Sequence, residues 1–164
     1  MAQRAGPSWV HASLLWACSY GWWRTLAMVV EALGPGLFKG PRWLEIGRGV
    51  GLREGSGLGR ALPPELRGAD RLAEALRSSH WAVLEEADVS ASGGEVELRV
   101  LGCSARRALA EWGAGGYDCS GFTQAVLEGL AEGLGLRVEV RLLEGPRLAG
   151  RGEVSCRWGL RVLD

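Results

Sequence analysis

The sequence predicts an α+β domain, an antiparallel sheet flanked by helices. Three observations carry this. Val96, Leu98 and Val100 alternate with Glu95, Glu97 and Arg99, the two-residue period of a strand with one wet face, and "SGG" stands before them where a hairpin turn would sit. The helical stretches are grouped between this hairpin and two final strands instead of alternating with strands one for one, which favours an antiparallel sheet. With 164 residues, 47% of them hydrophobic, the chain is long enough for one core, so residues 1–164 are read as a single domain.

The elements follow in order. Residues 8–33 read as one helix, because Leu15, Cys18, Trp22, Leu26, Val29 and Leu33 fall at three- and four-residue steps. Its other side carries Trp16, Tyr20, Trp23, Ala27 and Val30, so it is apolar almost all round and must be covered on more than one side. Burial against a second subunit and a central core helix are both consistent with this. Arg24 and Glu31 interrupt the apolar run, so a buried helix is expected and not a membrane span.

"RWLEIGRGVGLREG" reads as a short helix with glycines on one side, and "SGLGRALPPELRGA" as a loop, since Pro63 and Pro64 cannot lie inside a helix. "DRLAEALRSSHW" has Asp70 as a cap and Leu72, Ala75 and Leu76 on one face. "AVLEEADVSA" and "EVELRVLG" are the two hairpin strands. "SARRALAEWG" is a short helix, and "SGFTQAVLEGLAEGLG" a longer one with Gly135 as its stop. "LRVEVRLLEG" and "EVSCRWGLRVLD" are the last strands, joined by "PRLAGRG".

Charge excludes some functions. Nineteen basic residues balance nineteen acidic ones, so nothing argues for nucleic acid or a polybasic membrane contact. The run "GRGVGLREGSGLG" lacks the lysine and hydroxyl residue of a phosphate loop, and its spacing is not that of a dinucleotide fingerprint. His11 and His80 are the only histidines, and neither stands at a metal-ligand spacing. No secretory leader is visible, a cytoplasmic location is expected, and the four cysteines are then expected to be reduced.

Those cysteines carry most of the chemistry. Cys18 lies in the apolar first helix as a small hydrophobe, and Cys103 directly follows a strand. Cys119 opens a helix, where exposed N–H groups favour thiolate. Cys156 lies on the last strand, and antiparallel pairing with the strand ending at Glu144 would bring the two together. A thiolate, a second cysteine and a carboxylate could hold zinc, although no close C-x-x-C pair is present.

The ordered stretches "LEIGRGVG", "DVSASGGEVELRV", "CSARRALAEWGAGGYDC" and "SCRWGLRV" resemble the 4-vinyl-reductase domain. That family shares its fold with haem nitric-oxide-binding domains and with transport-protein-particle subunits. The chain is similar also to an uncharacterised prokaryotic family related to the L-2-amino-thiazoline-4-carboxylate hydrolase-like proteins. The resemblance implies a homodimer formed through the N-terminal helical region and an apolar pocket for a hydrophobic small molecule. It also implies a zinc set of a cysteine before the glycine-rich helix, a glutamate after it and two further cysteines. Carried onto this chain, these fall on Cys119, Glu144 and Cys156; Arg147 or Leu148 stands where the third cysteine belongs, with Cys103 as substitute.

The expected function is therefore a binding domain for a hydrophobic small molecule, with no cofactor and with zinc as the alternative. Trp81, Trp112 and Trp158 are the pocket candidates beside Cys119, because they adjoin the sheet and the cysteines. A hydrolase- or reductase-like enzyme using Cys119 with Glu144 or a bound metal is the second reading. A ligand-free dimeric scaffold is the third.

Overall fold

A computed structural model describes residues 21–22, 24–25, 28–29, 31–32, 34, 40–111, 113, 116–150 and 152–163. It is an α+β fold: a four-stranded, wholly antiparallel sheet flanked by helices. The order is α1 (Pro41–Ala61), α2 (Gly68–Ser78), α3 (His80–Leu84), β1 (Ala87–Ser92), β2 (Glu95–Val100), α4 (Ser104–Glu111), α5 (Ser120–Gly133), β3 (Arg137–Glu144) and β4 (Cys156–Leu163). In space the strands run β1-β2-β4-β3, so the last strand inserts between the hairpin and β3.

The hairpin forms as its sequence dictates. Ser92 faces Glu95 across a two-residue loop, and both loop residues, Gly93 and Gly94, take the positive φ that such a turn requires. β1 is shorter than the alternation suggests, because Ala82 to Leu84 belong to α3. Glu86, at φ 48, turns the chain between the two.

Helix α1 departs further from expectation. It does not stop near residue 55 but continues through Gly57 and Gly59 to Ala61, and ends just before Pro63. Gly47, Gly51 and Gly55 lie at four-residue steps on its buried face. Gly47 packs on the Phe122 ring, and Gly51 and Gly55 meet α5 backbone to backbone: a Cβ at Gly51 would lie 2.0 Å from the Val126 carbonyl oxygen, and one at Gly129 2.1 Å from that of Arg48. Contacts advance in the same direction along both chains, from Gly47 beside Phe122 to Gly55 beside Leu130, so the two helices run parallel. The close packing overrides the weak helix propensity of the glycines.

Helices α2 and α5 cover one sheet face. Leu72 and Leu76 from α2, Leu127 and Leu130 from α5, and Leu98, Trp158 and Leu160 from the sheet form the centre of the core. The described residues between 21 and 32 are mostly helical; Trp22 is 54% and Met28 61% exposed, which does not fit a central core helix. The stretch 8–20 of that expected helix lies outside the described residues.

Candidate functional site

A cavity of about 310 Å³ opens where α1, α3, α5, the start of α4 and the ends of β2 and β4 converge. Ile46 and Val50 come from α1, Trp81 from α3, Val100 from β2, and Phe122 and Val126 from α5. The wall is thus largely apolar, and the volume is at the lower end of the range for small-molecule pockets. Cys103, Cys119 and Cys156 all line it.

Its polar groups are few and placed. Glu85 is 4% exposed, and both its carboxylate oxygens accept hydrogen bonds from Ser104, one from the backbone N–H and one, 2.5 Å long, from the hydroxyl. Burial pushes the Glu85 carboxyl up, and this outweighs the Ser104 bonds and the nearby charges of His80 and Arg107 that act the other way. His80 lines the same cavity, and its Nδ1 lies 3.0 Å from Glu54 Oε1 on α1. Burial alone would raise Glu54, but the bonds and charge of His80 prevail and its pKa falls. The His80 ring also lies against Trp81, with centroids 4.1 Å apart.

The thiols correct a sequence expectation. Cys119 does occupy the N-cap of α5, yet its pKa is raised, because burial outweighs the neighbouring Arg106 and the bond from Thr123. Burial raises Cys103 as well and pushes Cys156 up to about 11. Trp158 Nε1–H donates to Cys156 Sγ at 3.3 Å. The three are free, protonated thiols at neutral pH.

Of the zinc set named from sequence, the three cysteines share the cavity wall and Glu144 stands apart. Among the described residues no group of three or more His, Cys, Asp or Glu side chains is arranged to hold a metal ion. Glu144 is the reason for part of this. It pairs across the ladder with Arg157, so it shares the outer sheet face with that residue, while Cys156, one position away, faces the helices. Its carboxylate instead meets Arg147 at 3.0 Å and Arg157 at 4.0 Å.

Of the tryptophans named from sequence, Trp81 lines the cavity, and Trp158 lies in the core with 1% exposure. Trp112 lies outside the described residues. Sequence reasoning missed Glu85, His80 as a pocket residue, and Trp22, which reaches the cavity from the N-terminal segment. The pair Glu85-Glu86 carries no sequence signal of which one is buried.

No protein-family model matches the chain, and no curated protein matches it. Among the described residues, no helix is long and apolar enough to cross a membrane. Among solved structures, the chain resembles a trafficking protein particle complex subunit 3 from Naegleria fowleri, crystallised covalently bound to palmitic acid, with a TM-score of 0.58 and 16% identity over 87% of this chain and 95% of that one. The fold is therefore that of a transport-particle subunit, as the shared fold of the resembling families implied.

Proposed function

We propose that this protein binds a hydrophobic small molecule, of the long-chain acyl class, in the cavity between α1, α3 and α5. The observation that carries the reading is the cavity itself: about 310 Å³, walled by aliphatic and aromatic side chains, with its ionisable wall groups hydrogen-bonded or protonated. Such a site gains from removing apolar surface from water, at roughly 25 cal/mol per Å². The palmitic acid of the similar structure supports the ligand class. There the link is covalent; here burial keeps the lining thiols protonated, which favours non-covalent occupancy.

We further read the chain as a single 4-vinyl-reductase-like domain, cytoplasmic, and paired with a second copy through its N-terminal helical region. The exposure of Trp22 and Met28 supports the pairing. The enzyme reading is the weaker one, since Glu144 lies on the outer sheet face and Cys119 in the cavity wall.

Displacement of a fluorescent fatty acid by palmitate tests the binding reading. Val50 lines the cavity yet is 43% exposed, so Val50→Phe can be accommodated in the fold while filling the entrance. Wild type should bind saturably, and the variant about tenfold more weakly, a loss of about 1.4 kcal/mol. Equal binding by both proteins, or none by wild type, would overturn the proposal. Intact mass separates the covalent form, which would add one acyl group per chain.

A further inference from the structure

At the other end of the α1–α5 pair lies a second cavity, of about 610 Å³, with a different character. It sits where α1 and α5 end and α2 begins. Arg60, Arg67 and Arg71 line it, and no aspartate or glutamate does; leucines, glycines and a proline make up the rest of its wall. The chain as a whole is neutral, so three like charges in one cavity are a local excess. Each of Arg48, Arg141, Arg147, Arg157 and Arg161 has a carboxylate partner. Among the described residues no carboxylate pairs with Arg60, Arg67 or Arg71, as is also true of Arg42, Arg53 and Arg99, but only these three line one cavity without an acidic residue.

Two of these guanidinium groups are held in place by backbone. Arg71 donates to the Gly59 carbonyl at 2.9 Å, and Arg67 to the carbonyls of Pro64 and Leu66. Arg60, in the last turn of α1, also complements that helix's dipole. Helix-end compensation explains Arg60 and one N–H of Arg71, but a guanidinium has five N–H groups and a full charge. Three guanidinium groups around one cavity suit an anion, and Arg binds phosphate in a fixed fork geometry. A carboxylate carries one charge, whereas a phosphate monoester carries about 1.5 to 2. Residues already anchored lose little freedom when a ligand arrives.

We propose that this arginine-lined cavity binds a phosphate group, either on a soluble phosphorylated molecule or on a lipid headgroup. The site is separate from the apolar cavity, so it stands or falls independently of the function proposed above.

The test uses the full chain and Arg60→Gln/Arg67→Gln, both on exposed residues, so that folding is preserved. Pyrophosphate is titrated calorimetrically, with chloride at matched ionic strength as the screening control. A second arm sediments the protein with phosphatidylcholine vesicles containing one part in five phosphatidate. Saturable binding in either arm, weakened about tenfold for each guanidinium removed, supports the proposal. Binding in the first arm alone identifies a soluble ligand, and binding in the second alone a headgroup. Neither arm binding, or the double variant binding as wild type does, overturns it. Arg71→Lys is the second variant: it keeps the charge but loses the fork, so an unchanged affinity would also count against bidentate recognition.

Discussion

A carboxyl whose pKa is raised by folding holds its proton more tightly in the folded chain than in the unfolded one. Glu85 is such a group, held up by burial, and Glu54 is the opposite case, held down by His80. Between the ordinary value of 4.5 and its raised folded value, Glu85 is protonated in the folded state and ionised in the unfolded one, so its contribution to stability falls as pH rises through that window. Glu54 contributes stability above 4.5 that is lost as pH falls through its lowered folded value. Glu85→Gln, which keeps an acceptor for the Ser104 N–H, should therefore gain on wild type as pH rises from acid to neutral, by about 1.4 kcal/mol for every tenfold difference in proton affinity. Urea unfolding at both pH values measures this, and parallel curves would show that Glu85 is not held protonated. The thiols make a related prediction: iodoacetamide should modify Cys156 slowly at neutral pH and faster as pH approaches about 11. Rapid modification of native protein at pH 7 would contradict its burial. The placing of these residues was only partly legible. Cys119 at a helix start and Cys156 on the last strand follow from local pattern. Which of Glu85 and Glu86 turns inward depends on the turn at Glu86, and the face taken by Glu144 on a one-residue register step, which flips a side chain across the sheet.

Elements with a clear local period are legible in the sequence, and those held by contacts distant in sequence are not. The hairpin at Gly93-Gly94, the α5 stop near Gly135 and the last two strands all follow from alternation and turn chemistry. Helix α1 does not, because glycine is a poor helix former and its stripe acquires meaning only against Gly129 and Gly133. A Cβ at Gly55 would lie 2.1 Å from the Leu130 carbonyl oxygen, and at Gly133 2.4 Å from that of Leu52, with backbone on both sides and no flexible side chain to yield. Gly57 provides the internal control, since a Cβ there meets nothing within 4 Å. Gly51→Ala and Gly129→Ala should each destabilise by about 1–3 kcal/mol or more through forced helix separation. Gly57→Ala should stabilise by about 0.5–1 kcal/mol, because alanine removes backbone freedom from the unfolded chain. Opposite signs in urea unfolding identify the stripe as a packing surface. A stabilising Gly51→Ala would mean that α1 and α5 are further apart than described.

Two ends of the molecule differ in chemistry: one apolar and rich in thiols, the other lined with arginine, with the parallel α1 and α5 running between them. Large hydrophobic side chains face outward at several places, and the mouth of the apolar cavity is one of them. Trp22, Ile46 and Val50 border the cavity and are 54%, 51% and 43% exposed, and Met28 in the same N-terminal segment is 61% exposed. Scattered exposed apolar residues are ordinary, but several around one cavity mouth are what the proposed pairing would cover. A second copy burying them would shield the cavity mouth, so oligomeric state and ligand retention should be linked. Sedimentation at micromolar concentration should give a dimer mass. Trp22→Glu with Met28→Glu places charges on that surface without touching the core between α2, α5 and the sheet, and should shift the equilibrium toward monomer while leaving the urea midpoint of the monomer fold in place. Met28→Glu alone, which leaves the cavity-lining Trp22 in place, should also release a bound fluorescent fatty acid faster, because the cavity of a monomer stays open to water. A wild-type chain that sediments as a monomer would sink the pairing. A dimer indifferent to both substitutions would place the interface elsewhere and leave the apolar rim as the entrance for the ligand alone.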